Sequence, residues 1–192
     1  MKFVLRAGFL ISIILLITGC SQDGDVKVVN NCNTTFTGEL NNEAITIDPG
    51  ESYSENVYIG KRLVVIGPDS YDIELSGSAW TKKEFSTTIT VKRNETTTYT
   101  IDDDIGAIKL TNDYIKDIIE LRIKKCSDTE YGDKLINDSH PLKPGKFFLI
   151  KKNAGCWDIY LKYGRAETED TLKNIETQVG VITEVRWNPT TE

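Results

Sequence analysis

Histidine is all but missing from this chain: His140 is the single example in 192 residues. That excludes most imidazole acid–base chemistry and most His-built metal sites at once. Positive charge is also short, with 23 Lys and Arg against 29 Asp and Glu for a net of −6. This is the wrong balance for neutralising a phosphate backbone, so no nucleic-acid partner is expected. Four cysteines stand far apart, without the Cys-x-x-Cys pairs from which zinc sites are built. There is no Gly-x-Ser-x-Gly elbow, no glycine-rich phosphate loop and no dinucleotide fingerprint. These absences leave no expected cofactor, no expected metal and no catalytic residue to nominate.

The first twenty residues carry the sharpest local signal. Lys2 and Arg6 precede an apolar run from Ala7 to Ile17, interrupted only by Gly8 and Ser12. Eleven residues at ~1.5 Å rise each cannot cross a ~30 Å hydrocarbon core, so the run reads as a signal-peptide core and not a membrane span. It ends in Ile17-Thr18-Gly19-Cys20, which resembles the bacterial lipobox. The resemblance implies a bacterial lipoprotein: residues 1–19 are removed, and Cys20 carries a diacylglycerol thioether and, on its new amino group, a fatty acyl chain such as palmitate. The alternative is an ordinary secretory signal with Cys20 a plain thiol. Ser21 follows the cysteine; in Gram-negative lipoproteins Asp there signals inner-membrane retention, so the resemblance favours the outer membrane. Cleavage removes two positive charges and no acid, taking the net from −6 to −8. An acidic body beside anionic head groups is repelled, so the lipid must anchor it and the body is expected to stand off the bilayer.

Beyond Asp25 the hydropathy pattern has period two almost throughout. Tyr71, Ile73 and Leu75 alternate with Asp72, Glu74 and Ser76; Ile119, Leu121 and Ile123 alternate with Glu120, Arg122 and Lys124; Trp157, Ile159 and Leu161 alternate with Asp158, Tyr160 and Lys162. Such alternation marks strands with one buried and one wet face. Turn signals recur between the runs, at Asp48-Pro49-Gly50, Gly67-Pro68-Asp69, Arg93-Asn94-Glu95 and Lys143-Pro144-Gly145. Only Arg165 to Asn174 reads as either helix or loop plus strand.

The order of signals occurs twice. Val26 to Asn31 corresponds to Ala107 to Asn112 or its neighbour in register, Ile47-Asp48-Pro49-Gly50 to Leu142-Lys143-Pro144-Gly145, Tyr71-Asp72-Ile73 to Trp157-Asp158-Ile159, and Thr96 to Ile101 to Gly180 to Val185. The expected fold is therefore all-β: two tandem small antiparallel β-sandwich modules of Ig-like or transthyretin-like type. The expected boundaries are 1–19 signal peptide, 20–25 lipid-anchored tether, 26–101 first repeat, 102–106 acidic linker and 107–188 second repeat. Asp102-Asp103-Asp104 reads as solvated linker, since no loop spacing supplies the oxygen ligands of a calcium site.

In the second copy, Leu110-Thr111-Asn112-Asp113, Tyr131-Gly132-Asp133-Lys134-Leu135-Ile136, Leu142-Lys143-Pro144-Gly145-Lys146 and Gly155-Cys156-Trp157-Asp158-Ile159 follow in order. This resembles a small β-sandwich module of exported bacterial proteins over about residues 107–187, and more faintly over 26–101. It departs from that module at Tyr131, where the pattern has Trp, and at Cys156, where it has a small residue. The resemblance implies fold and export and assigns no catalytic residue or ligand.

Cys126 ends one expected strand and Cys156 begins another, so the two are a candidate disulfide, with two buried free thiols as the alternative. Cys32 is then left single, either buried and inert or reactive. Trp80, in a polar loop flanked by Lys82 and Lys83, is a candidate partner-binding residue or a cap on its own sandwich; Tyr160, on the wet face of its strand, is a second candidate. His140 reads as an exposed turn residue and Asp72, Glu74 and Asp158 as solvated strand charges. The chain is thus expected to be a non-enzymatic envelope lipoprotein, membrane-held through Cys20, that binds an unidentified protein or glycan or serves structurally. A carbohydrate-binding accessory lipoprotein is the alternative, and a hydrolase the remote one.

Overall fold

The computed structural model describes residues 23–60 and 69–189, which form thirteen strands and no helix. In chain order these are β1 (Asp23–Asn30), β2 (Phe36–Leu40), β3 (Glu43–Ile47), β4 (Ser52–Tyr58), β5 (Ser70–Ala79), β6 (Lys82–Lys92) and β7 (Thr96–Ile101), then β8 (Gly106–Asn112), β9 (Ile118–Lys125), β10 (Phe147–Lys152), β11 (Gly155–Tyr163), β12 (Thr168–Thr177) and β13 (Ile182–Trp187). The all-β class expected from the alternation is what forms. Sheet β4-β1-β7 packs on sheet β3-β2-β5-β6 around Val26, Val28, Phe36, Leu40, Ile73 and Leu75. Sheet β10-β8-β13 packs on β12-β11-β9 around Ile108, Leu110, Leu121, Ile159, Leu161 and Trp187. Sequence 165–174 resolves into a turn through Gly164 and Glu167 followed by β12, because Tyr163 and Thr168 pair directly across it.

The pairing is not purely antiparallel. β7 runs parallel to β1, and β13 parallel to β8. Each closing strand crosses from the opposite sheet through a tight turn and lies beside the opening strand in the same direction, so the pairing spans the whole module and leaves no local mark in the sequence.

The equivalence of the two sandwiches is exact at one buried side chain. Asn30 and Asn112 are each fully buried at the end of the opening strand. Asn30 donates from Nδ2 to the carbonyls of Thr34 (3.0 Å) and Ile47 (2.8 Å), and its Oδ1 accepts from the Cys32 amide (2.9 Å). Asn112 donates to the carbonyls of Lys116 and Leu142, both at 2.9 Å, and accepts from the Tyr114 amide at 3.1 Å. Gly50 and Gly145, at φ of 77° and 71°, donate their amides to the carbonyls of Asn30 and Asn112; the left-handed conformation at both Pro-Gly turns suits glycine. The repeat therefore aligns Asn30 with Asn112, the neighbouring register of the two that the sequence allows, and Ile101 with Trp187, opposite which they pair.

Two boundaries and one strand's parity differ from expectation. Asp23, Gly24 and Asp25 belong to β1 and not to a tether; Gly24 is buried, and any Cβ there would run into the Lys92 carbonyl, so the strand is packed down from its first residues. The 102–106 segment is not a solvated linker throughout. Ile105 and Gly106 are buried and Asp103 is half-buried, because the Thr81 carbonyl accepts from the amides of Asp104 and Ile105 (3.1 Å each) and the Thr81 hydroxyl donates to Asp103. On β9, Ile119 is only half-buried while Ile118 is fully buried, since the register with β11 shifts between Lys162 and Tyr163.

Cys126 and Cys156 are joined by a disulfide with a Cα–Cα separation of 5.4 Å, across 30 residues of sequence. Closing that loop is worth ~3.5 kcal/mol in the chain-entropy account. Reducing it, or replacing both cysteines by Ser, is expected to lower the unfolding free energy of the second sandwich by about that amount. Urea unfolding followed by the fluorescence of Trp157 and Trp187 measures this, and an unchanged midpoint would contradict it.

Candidate functional site

The outward face of sheet β12-β11-β9 gathers more charge and aromatic surface than its strand parity alone suggests. Lys162 pairs with Glu120 on β9 and Glu169 on β12, while Tyr160 pairs with Arg122 and Thr171. The β9–β10 connection runs back beside β9, with the Gly132 amide on the Ile123 carbonyl and the Leu135 amide on the Leu121 carbonyl. It brings Tyr131 and Lys134 onto this face. Tyr131 lies against Tyr160 with ring centroids 5.7 Å apart, and the Lys124 ammonium stands 5.1 Å over the Tyr131 ring.

Glu120 sits at the centre and is only 7% exposed. Its two carboxylate oxygens take Arg122 Nε and Lys134 Nζ at 2.6 Å each. Burial pushes its carboxyl up, but the hydrogen bonds from Lys134 and Arg122 and their charges prevail and hold it below the ordinary 4.5. Tyr160 is pushed up to about 12, by burial first, then by its hydrogen bond to Glu169 and the charges of Glu169 and Glu120. These two groups bracket a pH window. The lowered Glu120 contributes stability that is present above pH 4.5 and lost as pH falls through its folded value; the raised Tyr160 contributes stability present below pH 10.0 and lost as pH rises towards about 12. Glu120→Gln is expected to flatten the acid limb of a urea-midpoint profile and Tyr160→Phe the alkaline limb. Limbs that keep the slopes of the parent chain would show that neither group supplies the pH dependence.

The other sequence candidates are scattered. Cys20 lies outside the described residues. Trp80 is half-buried; its amide donates to Thr34 Oγ1 at 3.0 Å and its ring meets Phe147 of β10, centroids 5.8 Å apart. Its ring thus contacts the other sandwich, while on its own sandwich Trp80 lines a recess with Thr34, Thr35 and Pro49. The Asn33 side chain donates to the Gly180 carbonyl at 2.6 Å and Lys151 Nζ to the Lys82 carbonyl at 3.1 Å across the same junction. Cys32 is buried, and burial and then Asp103 raise its thiol to about 12, so it stays protonated and inert. The three linker carboxylates diverge: Asp102 accepts from Asn31, Asp103 from Thr81, and Asp104 from Lys82 and the Lys83 amide.

Of the acids weighed for hydrolysis, Asp72 and Glu74 share the exposed face of β5, and Asp158 lies on the other sandwich. Asp72 accepts from Thr90 Oγ1 on the first sandwich, whereas Asp158 accepts from the Asn174 amide at the β11–β12 bulge of the second. His140 is exposed in a turn closed on Asn137. At the far end of the second sandwich a recess of about 790 Å³ lies between the 113–117 and 164–167 loops, beside Ile115, which is 82% exposed. Sequence reasoning found Tyr160 but missed Glu120, Tyr131 and Lys134 as its neighbours. Glu120 reads as one more outward strand charge, and only the return of the 131–136 segment buries it.

The fold and these surfaces define a tandem β-sandwich protein. No family model and no curated protein matches the chain. Among solved structures it is similar to the Bacillus anthracis TIE protein, at 11% identity and TM-score 0.34 over 87% of this chain and 34% of that one. It is also similar to the minor pilin of the Gram-positive pathogen Streptococcus agalactiae, at 12% identity and TM-score 0.26 over 88% and 98% of the two chains. A third is the Ca2+-stabilised adhesin with which an Antarctic bacterium binds ice, at 10% identity and TM-score 0.20 over 86% and 50%. The chain thus spans about a third of the first of these proteins and half of the third.

Proposed function

We propose that this chain is a cell-envelope lipoprotein, acylated at Cys20, whose two sandwiches act as a non-catalytic binding or structural module. The supporting observation is the junction: Ile17-Thr18-Gly19-Cys20 ends three residues before β1 opens at Asp23, so a lipid at Cys20 couples almost directly to a packed core. Two or three acyl chains there hold the body stably, where one would hold it reversibly. With Ser21 in place of Asp, the outer membrane is the favoured destination in a Gram-negative host.

Intact-mass measurement of the protein from its native producer tests this. The expected result is cleavage before Cys20 with added diacylglycerol and acyl mass, and Cys20→Ser is expected to leave the precursor uncleaved and unacylated. An unmodified Cys20 in the mature chain sinks the proposal. In-cell crosslinking of the tagged lipoprotein then identifies what the module holds.

Glycan binding is the second reading, and the half-buried Tyr131–Tyr160 pair with its flanking Lys124 and Arg122 favours it, because aromatic rings beside charged donors suit a sugar face. It moves the expected anchor from Trp80, which contacts Phe147, to Tyr160. Retention on an envelope-glycan column that Tyr160→Ala does not reduce removes this reading.

A further inference from the structure

We propose that the end of the first sandwich at which β1 opens is a membrane-contacting face, with Tyr58 and Tyr71 seated in the head-group layer of the bilayer that holds the chain. This rests on the lipoprotein reading and deepens it, and it replaces the expectation that the body stands off the membrane. Only Ser21 and Gln22 separate Cys20 from Asp23, and a fully extended chain covers at most ~3.3–3.6 Å per residue. The opening of β1 therefore lies within ~11 Å of the Cys20 backbone, and no freedom in the tether can carry it further away.

What the fold brings to that end suits an interface. Asp23 pairs with Tyr58 at the end of β4. The β6–β7 turn ties the neighbouring strands to the same place: the Asn94 amide donates to the Asp23 carbonyl (2.8 Å), the Arg93 amide to the Asp69 carbonyl (3.0 Å) and the Arg93 guanidinium to the Ile59 carbonyl (3.3 Å). Tyr71, the second residue of β5, lines a recess of about 240 Å³ together with Tyr58. Tyr58 is 53% and Tyr71 40% exposed; among the described residues every other exposed large apolar side chain belongs to the second sandwich. The first sandwich thus keeps its exposed aromatic surface at the end where the lipid enters.

Tyrosine, with an apolar ring and a polar tip, is the side chain that collects at membrane–water boundaries. The mature net charge of −8 works against a Coulombic contact with anionic head groups, so attraction at this face has to come from ring burial. Gly60, next to Ile59, and Asp69 also lie here. The face itself consists of the described strand ends.

The test uses the full mature lipoprotein in phosphatidylethanolamine/phosphatidylglycerol vesicles. Nitroxide labels are placed through Tyr58→Cys, Tyr71→Cys and, at the far end of the second sandwich, Ile115→Cys; Cys32 is buried and Cys126 and Cys156 are bonded, so only the introduced thiols label. Power-saturation measurements with oxygen and a nickel chelate give depth. Labels at 58 and 71 are expected at head-group depth, at least fivefold less accessible to the chelate than the label at 115. Equal accessibility at all three sites, with the acyl mass confirmed on Cys20, overturns the face and leaves the lipoprotein reading standing. Absence of the acyl mass overturns both. Hydrogen exchange on the unsubstituted lipoprotein reads the same face without new side chains: amides at 56–60 and 69–72 are expected to exchange severalfold more slowly on vesicles than in a leaderless, unacylated chain that begins at Ser21 and is free in solution. Equal rates overturn the face.

Discussion

Asn112→Asp is expected to cost the second sandwich about 4 kcal/mol, although it changes one atom's identity and almost no volume. The asparagine amide donates to the Lys116 and Leu142 carbonyls while its oxygen accepts from the Tyr114 amide, all without exposure to solvent. The carboxylate keeps the acceptor and loses both donors. It sets a buried negative charge against two carbonyl oxygens, each left without its hydrogen, and every unsatisfied buried group costs about 1–3 kcal/mol. Asn112→Ala removes the same bonds without the charge and should fall somewhat short of the Asp variant. Asn30→Asp repeats the experiment in the first sandwich, where the Thr34 and Ile47 carbonyls are the acceptors. Hydrogen exchange in urea resolves the two, because the amides of β1–β7 report the first sandwich and those of β8–β13 the second. A loss below about 1 kcal/mol at Asn112 would mean that the clasp is not what holds the 113–117 loop and the Pro-Gly turn together.

Trp187→Ala is expected to be of similar size, about 4–5 kcal/mol. The ring is 1% exposed and packs edge-on against Tyr114 (5.6 Å) and Tyr163 (4.8 Å), while its indole nitrogen donates to Asp170 at 2.7 Å. Deleting it leaves a cavity, parts two aromatic contacts and strips a carboxylate of its donor. Trp187→Phe keeps most of the ring and loses the donor, so it separates the two contributions; a penalty of about 1–2 kcal/mol is expected there. Near-ultraviolet circular dichroism should lose its aromatic signal in the Ala variant and retain much of it in the Phe variant. Equal penalties for both variants would place the whole effect in the hydrogen bond to Asp170. The equivalent position in the first sandwich is Ile101, also fully buried, so one site in the repeat is filled by two side chains of different size and each core has adjusted around its own.

Several features of the fold are legible in the sequence. Alternation such as Ile159-Tyr160-Leu161 needs only neighbouring residues, since a pleated strand sends successive side chains to opposite faces whatever the rest of the chain does. Pro-Gly turns are equally local, because glycine's tolerance of positive φ belongs to one residue. The failures were all at range. Ile119 carries the correct parity and still leaves the core, because the neighbouring strand slips by one residue at Lys162. Asp103 looks like a solvated charge and is drawn in by Thr81, 22 residues away. Trp80 has no strand periodicity to place it, and its ring partner Phe147 lies in the other sandwich. Glu120 looks like any outward charge until Lys134 returns over it.

The amino-acid sequence by itself determined that this chain is β-structured, where its principal turns fall and which side of most strands is buried, because those properties arise from steric and hydrophobic preferences acting over a few adjacent residues. Only the tertiary structure decided that β7 and β13 close their sandwiches in parallel, that Asn30 and Asn112 are the same clasp, and that Tyr58 and Tyr71 share the end where the chain enters. Those juxtapositions join residues tens of positions apart, and they exist only once the backbone hydrogen bonds of whole sheets have been satisfied together.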